Sequence, residues 1–239
     1  MPVRPVSQAF DAHRTGSTRP ARPAQLDDVQ LNQMGSGLSP EQVSEMSHQS
    51  ALALLHRVHE SKDPALVTRV LTVVENEGLD IIAELWEKSE PETLPGMMWR
   101  LYTLRLWMRQ NPESLSRFWR LGEPVVGAAS AITGIDEAPT AENIAATADS
   151  ILAGAFVGDF SVALQRASAF VMIEAAGMDL LAAREAHELP ELEERRLADS
   201  DTRRRMAHIS ALRATASRLA QTGKDFRSGA ALWKQGKLE

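Results

Sequence analysis

Residues 96–110 read GMMWRLYTLRLWMRQ, and the apolar side chains of this stretch recur with the period of an α-helix. They fall into two stripes on nearly opposite sides, one with Met97, Leu101, Leu104 and Met108 and the other with Trp99, Tyr102 and Leu106. A helix that is apolar on two sides packs between neighbouring helices. We therefore expect the largest side chains here and in the next helix to be buried, above all Trp99, Leu104, Trp107 and Trp119.

Helix starts recur on both sides of this stretch. At Ser39-Pro40 a good N-cap precedes a proline whose missing N–H costs nothing in the first turn, and the same device recurs at Asp63-Pro64 and Asn111-Pro112. Thr140 precedes a further helix in a similar way. Few stretches alternate with period two, so the sequence predicts an all-α fold. Because the connections are short, we expect an antiparallel helical bundle built from short α-hairpins.

The predicted helices and one internal similarity complete this picture. We predict helices over residues 40–61, 64–76, 79–89, 95–110, 112–121, 141–157, 160–184, 190–198, 201–221 and 225–234. AELWEKSEP at 83–91 aligns with SRFWRLGEP at 116–124, with an offset of 33 residues that places Trp86 over Trp119. This similarity indicates either a two-copy helical repeat or two unrelated helix ends that share Trp and Pro.

The composition excludes several kinds of chemistry. The chain has no cysteine, which rules out disulfides, thiolate nucleophiles and Cys-ligated metals and favours a reducing cytoplasm. The first ten residues have no apolar core of a secretory signal, and no run of about 18 apolar residues could span a membrane. Phosphate-binding loops, dinucleotide fingerprints and serine-hydrolase elbows are all absent. We therefore expect a cytoplasmic protein with no cofactor and no contact with a membrane.

The charge is divided along the chain into three segments. Residues 1–38 carry a net charge of +1 and are poor in apolar residues, so we predict a disordered N-terminal tail. Residues 39–194 carry −14 and residues 195–239 carry +7. The sequence thus predicts an acidic all-helical core domain over 39–184 and a basic helical C-terminal extension over 185–239.

Small residues are concentrated between 143 and 184, with Gly154 and Gly158 spaced as G-x-x-x-G and Ala163 and Ala167 spaced alike. Small side chains let helix backbones approach one another closely. We expect these residues to lie in a tight hairpin core, and the alternative is a homo-oligomer formed through the Gly154/Gly158 helix.

The best candidate metal ligands are His56 and His59, which are three residues apart on the first helix. Imidazole suits zinc and other transition metals, but two adjacent ligands do not make a site without carboxylates from elsewhere. The competing interpretation, which we prefer, is a polar edge beside the apolar face of this helix. We therefore expect no metal site.

The stretch SDTRRRMAHISALR, residues 200–213, is the strongest functional signal. Met206, Ile209, Leu212, Ala216 and Leu219 lie broadly along one side of the predicted helix. Arg203, Arg204 and Arg205 fall in its first turn, where positive charge is unfavourable because of the helix dipole, and Arg213 continues the basic character. Three interpretations compete: a solvated helix face, docking on an acidic protein surface (the protein's own core or another protein), and binding of a nucleic-acid backbone.

Together these observations favour a non-enzymatic cytoplasmic regulatory or adaptor protein that acts through protein–protein contact. Its predicted partner-binding residues are Arg203, Arg204, Arg205 and Arg213. The alternative is a nucleic-acid-associated regulator that uses the basic C-terminal segment. An enzyme with an unrecognised carboxylate or histidine site is the third hypothesis.

Overall fold

A computed structural model describes residues 39–61, 85–127, 129–134, 139–194 and 199–238 of the chain. Within these ranges the structure consists of helices that pack against one another and of the turns between them, which confirms the all-α prediction. The helices are α1 (Pro40–Ser61), α2 (Leu94–Gln110), α3 (Pro112–Val126), α4 (Ala129–Thr133), α5 (Ala141–Val157), α6 (Phe160–Glu194) and α7 (Asp199–Lys234). All of them belong to one compact unit. The tail predicted over 1–38 and the helix predicted over 64–76 lie outside the described residues.

Three of the predicted helix starts are confirmed. Helix α1 begins at Pro40 and α3 begins at Pro112, as the proline positions indicate. Helix α5 begins after Thr140, whose hydroxyl accepts a hydrogen bond from the backbone N–H of Asn143 at 3.3 Å. A side-chain cap thus marks the start of α5, whereas α1 and α3 begin at a proline, and Asn111 before α3 makes no side-chain capping bond.

The central element is α6, which packs against α2, α3, α4, α5 and α7. Its backbone comes into contact with that of α3, because the two helices cross where each has a glycine. A Cβ atom added at Gly122 of α3 would overlap the carbonyl oxygen of Ile173, and one added at Gly177 of α6 would overlap the carbonyl oxygen of Phe118. The two backbones are therefore in direct contact, and only glycine fits at either position.

This crossing brings the largest aromatic side chains together. Trp119 of α3 and Phe170 of α6 are both fully buried, with ring centroids 5.5 Å apart. Around them lies the main core, to which α1, α2, α5 and α7 also contribute apolar side chains. Burial of Trp119 and of Leu104 confirms the expectation for these two residues.

The expectation that α2 is buried on two sides is confirmed only in part, since Trp99, Tyr102 and Trp107 pack against the core without being fully buried. The stripe of Met97, Leu101, Leu104 and Met108 is buried, but Trp99, Tyr102 and Trp107 are only half-buried and Leu106 is 41% exposed. Trp99 and Tyr102 stack on each other, with ring centroids 5.9 Å apart. The buried face instead includes Arg105, whose Nε donates to Asp149 of α5 at 2.7 Å. Arg105, paired with Asp149, therefore occupies a position on the buried face of α2 where helical periodicity predicts an apolar residue.

Helix α7 runs antiparallel to α6 along almost its whole length. The ring of Trp233 packs edge-on against Phe160, with centroids 5.0 Å apart, and the hydroxyl of Ser168 donates to the carbonyl of Gly223 at 2.6 Å. We predicted a break near residues 222–224, but α7 is continuous there. Gly223 lies within this continuous helix, against the side chains of Val171 and Met172 of α6.

The face of α7 that packs on α6 repeats every three and four residues. Its buried members are Ile209, Leu212, Ala216, Gly223, Phe226 and Ala230. We call this contact the α6–α7 seam, and its spacing is that of a coiled coil. Met206 was predicted to lie on the apolar side of this helix, but it is 56% exposed. The position that continues the repeat of three and four residues before Ile209 is Arg205.

Of the four small residues predicted to lie in a tight hairpin core, the two alanines are buried but the two glycines are not. Ala163 and Ala167 are buried in the core, as expected. Apart from its chain neighbours and the backbone of its own helix, no atom of the described residues lies within 4 Å of a Cβ placed at Gly154, and Gly158 is the exposed C-cap of α5. The backbone contact is made by Gly122 and Gly177 instead. A homo-oligomer through Gly154 and Gly158 stays a prediction.

The two tryptophans of the proposed repeat are both buried, but they differ in their surroundings. The indole N–H of Trp86 donates to Ser50 of α1 at 2.9 Å, whereas the indole N–H of Trp119 has no partner among the described residues. The repeat itself stays a prediction.

Glu174 is the one fully buried carboxyl group among the described residues. Its side chain is 0% exposed, and neither carboxyl oxygen has a hydrogen-bond partner in the described part of the chain. Phe170 and Met178, one turn away on either side, are buried as well. Burial disfavours the ionised form and raises the pKa of Glu174 well above its ordinary value.

The crossing of α3 and α6 predicts that two Gly→Ala substitutions differ greatly in their effect on the free energy of unfolding. Gly177→Ala should lower the free energy of unfolding by about 2 kcal/mol or more, because the added methyl group meets backbone that cannot move aside. Gly154→Ala is the matched control, and it should be neutral or stabilising by up to about 1 kcal/mol, since alanine favours the helix. Urea denaturation measures both. Equal effects of the two substitutions would contradict backbone contact at Gly177.

The buried carboxyl predicts how stability depends on pH. Because the pKa of Glu174 is higher in the folded than in the unfolded state, the folded state binds more protons between the two values. The contribution of Glu174 to the free energy of unfolding is therefore fully present below the pKa that this carboxyl has in the unfolded state. It is lost by about 1.4 kcal/mol per pH unit as pH rises toward the pKa of the folded state. Glu174→Gln should remove this decline, as measured by urea denaturation across pH.

The matched control for Glu174→Gln is Asp179→Asn, which changes an exposed carboxylate on the same helix. It should retain the decline of stability with pH. A Glu174→Gln variant that keeps the wild-type decline would show that this carboxyl is not buried in the folded protein.

Candidate functional site

A groove opens on the surface where the apolar part of the α6–α7 seam ends. It encloses about 640 Å³ and is lined by residues of three helices: Arg117 of α3, Leu181, Arg184, Glu185 and Glu188 of α6, and Arg204, Arg205 and His208 of α7. We call it the arginine groove. Leu181 is the buried member of this set.

The packing of the helices brings these arginines together. Arg205 occupies the position of α7 that continues the seam beyond Ile209, and Arg184 lies on the same stretch of α6. Arg117 directly precedes Phe118, whose carbonyl oxygen contacts Gly177 at the crossing of α3 and α6. The seam and the crossing therefore fix the relative positions of cations that are distant in sequence.

The groove has a positive balance of charge. Four arginines face two glutamates, so its net charge is +2 when His208 is neutral. Arg204 has a 79% exposed side chain, and its guanidinium lies 3.2 Å from Asp201 one turn earlier. His208 Nε2 lies 3.7 Å from a carboxylate oxygen of Glu185. Exposed pairs of this kind contribute little to stability, which leaves the guanidinium groups available for a partner.

The structure separates the predicted partner-binding residues into two groups. Arg204 and Arg205 line the groove, whereas Arg203 and Arg213 are exposed on α7 and do not. The helix dipole gives less reason to expect a partner for the three arginines than the sequence indicated. Helix α7 begins at Asp199, so the arginines start at its fifth residue and not in its first turn. The dipole acts mainly within the first turn.

Sequence reasoning missed Arg117 and Arg184. No motif surrounds either residue, and each is more than fifteen positions from the basic run at 203–205. The signal that would find them is tertiary: the antiparallel seam places Arg184 beside α7, and the glycine crossing places Arg117 there too.

The predicted metal ligands are not brought into a metal site by the described residues. His56 is exposed on α1, and the side chain of His59 lies outside the described part of the structure. No group of three or more potential ligands that could hold a metal ion occurs among the described histidines and carboxylates. His56 instead lines a second cleft, at the other end of the α6–α7 seam.

The guanidinium groups determine what the groove can bind. Each presents a planar set of N–H donors that matches a carboxylate or a phosphate in a two-pronged contact, and none can act as a proton acceptor at neutral pH. The two glutamates accept hydrogen bonds from amides or cations. The groove is therefore equipped to bind an anionic group that is flanked by hydrogen-bond donors.

None of the helices in the described ranges combines the length and apolar character needed to cross a bilayer. The sequence matches no protein-family model, and comparison with curated proteins and with solved structures finds no similar protein. We therefore infer a function from the geometry of the arginine groove.

Proposed function

We propose that this protein is a non-enzymatic cytoplasmic adaptor or regulator that binds an acidic segment of another protein in the arginine groove. The observation that carries the proposal is the convergence of Arg117, Arg184, Arg204 and Arg205 from three helices on one solvent-open groove. Arginine is enriched among the residues that dominate binding energy at protein interfaces. Its fork of donors pairs with carboxylates in a defined orientation.

Contacts within the chain support a partner other than the protein's own acidic core. Helix α7 packs on α6 through apolar side chains such as Ile209, Leu212 and Ala216, without using the arginines of the groove as the contact. Arg204 and Arg205 remain exposed after this packing. Docking of the C-terminal helix therefore leaves their charge available to a second molecule.

One feature of the groove and one exposed residue outside it favour a protein over a nucleic acid. Glu185 and Glu188 lie among the arginines and would repel a phosphate backbone, whereas a protein segment can offer them amide or cationic donors. Met206 does not line the groove, but it is 56% exposed on the same helix and offers an apolar surface to a partner that extends beyond the groove. Apolar side chains surrounded by polar ones are typical of protein interfaces.

Reversing the charge of the groove should abolish capture of the partner. We expect Arg204→Glu/Arg205→Glu in the full chain to lose the proteins that the wild type retains from a nuclease-treated lysate, because like charges oppose docking of an acidic segment. The matched control is Arg218→Glu/Arg227→Glu, with the same change of charge at exposed positions of α7 outside the groove. Mass spectrometry of the captured proteins provides the readout, and circular dichroism should show unchanged helix content for both variants.

Two results would contradict the proposal. One is retention of the same proteins by Arg204→Glu/Arg205→Glu, and the other is loss of capture when nuclease is added to the wild type. The second result would favour the alternative of nucleic-acid binding. In that case the intact protein should bind a duplex or single strand with a log–log salt slope of about −3 or steeper.

A further inference from the structure

A second cleft lies at the other end of the α6–α7 seam, roughly 40 Å from the arginine groove along the α7 axis by helical rise. It has a volume of about 410 Å³ and is lined by Leu55 and His56 of α1, Ala155 and Gly158 at the end of α5, Asp159 and Phe160 at the start of α6, and Trp233 and Lys234 at the end of α7. We call it the tryptophan cleft. Its volume lies in the range of about 300–1,000 Å³ that is usual for small-molecule sites.

The walls of the tryptophan cleft are apolar and held in place. Leu55, Ala155 and Phe160 are buried members of the main core, and Trp233 packs against that core. The rings of Trp233 and Phe160 meet at an interplanar angle of 64° with centroids 5.0 Å apart, which is a favourable edge-to-face geometry. The indole is thus oriented before any ligand arrives, so binding need not order it.

Asp159 is already engaged by the fold. Its carboxylate accepts the backbone N–H of Ser161 at 2.8 Å, as the cap of α6. Hydrogen bonding from Ser161 lowers the pKa of Asp159, despite some desolvation, and the charge of Lys234 acts in the same direction. The carboxylate therefore stays ionised, and part of its hydrogen-bonding capacity serves the helix.

The two remaining polar groups of the lining, Lys234 and His56, are both exposed hydrogen-bond donors. The charge of Lys234 acts on Asp159, and its ammonium group has three N–H donors, so it can also pair with a ligand. A neutral imidazole offers one N–H donor. Both complement a carboxylate, while the aromatic wall complements a planar apolar body.

We propose that the tryptophan cleft binds a small organic acid whose aromatic or similarly planar body lies against Trp233 and Phe160 and whose carboxylate pairs with Lys234 and His56. This site is independent of the arginine groove and of the acidic partner proposed for it. A ligand of this size would contact α1, α5, α6 and α7 at once, and so it would stabilise the end of the helix pair opposite the groove.

Calorimetric titration of the full chain with three matched probes tests the site. Cinnamate, cinnamyl alcohol and cinnamylamine share one apolar body and differ in the charge of the head group. We expect saturable binding of cinnamate with a Kd of about 1 mM or tighter, as befits a ligand of so few atoms. The alcohol should bind about tenfold more weakly or worse, because it loses the charge-assisted hydrogen bond, and the amine should bind more weakly still.

Two substitutions locate the binding site. Lys234→Gln should weaken cinnamate binding about tenfold or more, since it removes the paired charge at an exposed position without touching the core. Lys237→Gln removes a lysine three residues later that does not line the cleft, and it should leave the affinity unchanged. Absence of saturable cinnamate binding, tighter binding of the amine than of the carboxylate, or equal affinities of Lys234→Gln and wild type would each overturn the proposal.

Discussion

Helices α3 and α6 touch backbone to backbone at Gly122 and Gly177, and α6 also packs against α2, α4, α5 and α7. The contact at the two glycines places Trp119 against Phe170 at the centre of the core and holds α3 close enough for Arg117 to reach the arginine groove. Larger residues at the crossing would push the helices apart and expose these aromatic rings. Close packing at two glycines thus supports both the core and the candidate functional site.

The second constraint is the antiparallel seam between α6 and α7. It is apolar from Trp233 to Ile209 on the α7 side, and at Arg205 the same repeat continues with a charged residue. The seam therefore ends in the arginine groove at one end and in the tryptophan cleft at the other. Glu174 of α6 is buried with no hydrogen-bond partner among the described residues, and burial raises its pKa. A single pair of helices consequently connects the two surfaces proposed for binding.

Local sequence signals predicted the features that depend on neighbouring residues. Capping residues at Pro40, Pro112 and Thr140 predicted helix starts, and helical periodicity predicted the all-α class. The same signals were wrong where distant segments meet: separate helices were predicted over 201–221 and 225–234, although α7 is continuous and Gly223 lies against the side chain of Met172. The spacing of Gly154 and Gly158 resembled a packing motif, but the close approach is made by two glycines that lie 55 positions apart. Arg204 and Arg205 were predicted as binding residues from the local charge run, whereas Arg117 and Arg184 depend on the tertiary fold.

Hydrogen exchange of the backbone amides under native conditions tests the role of the α3–α6 crossing most directly. Amides of α6 from Phe170 to Met178 and of α3 from Phe118 to Gly122 should exchange only through global unfolding, with an opening free energy equal to that from urea denaturation. Amides at the exposed ends of α6 and α7 around the arginine groove should exchange through smaller openings. Exchange of the crossing amides at lower free energy than those of α5 would contradict the claim that the fold depends on this contact.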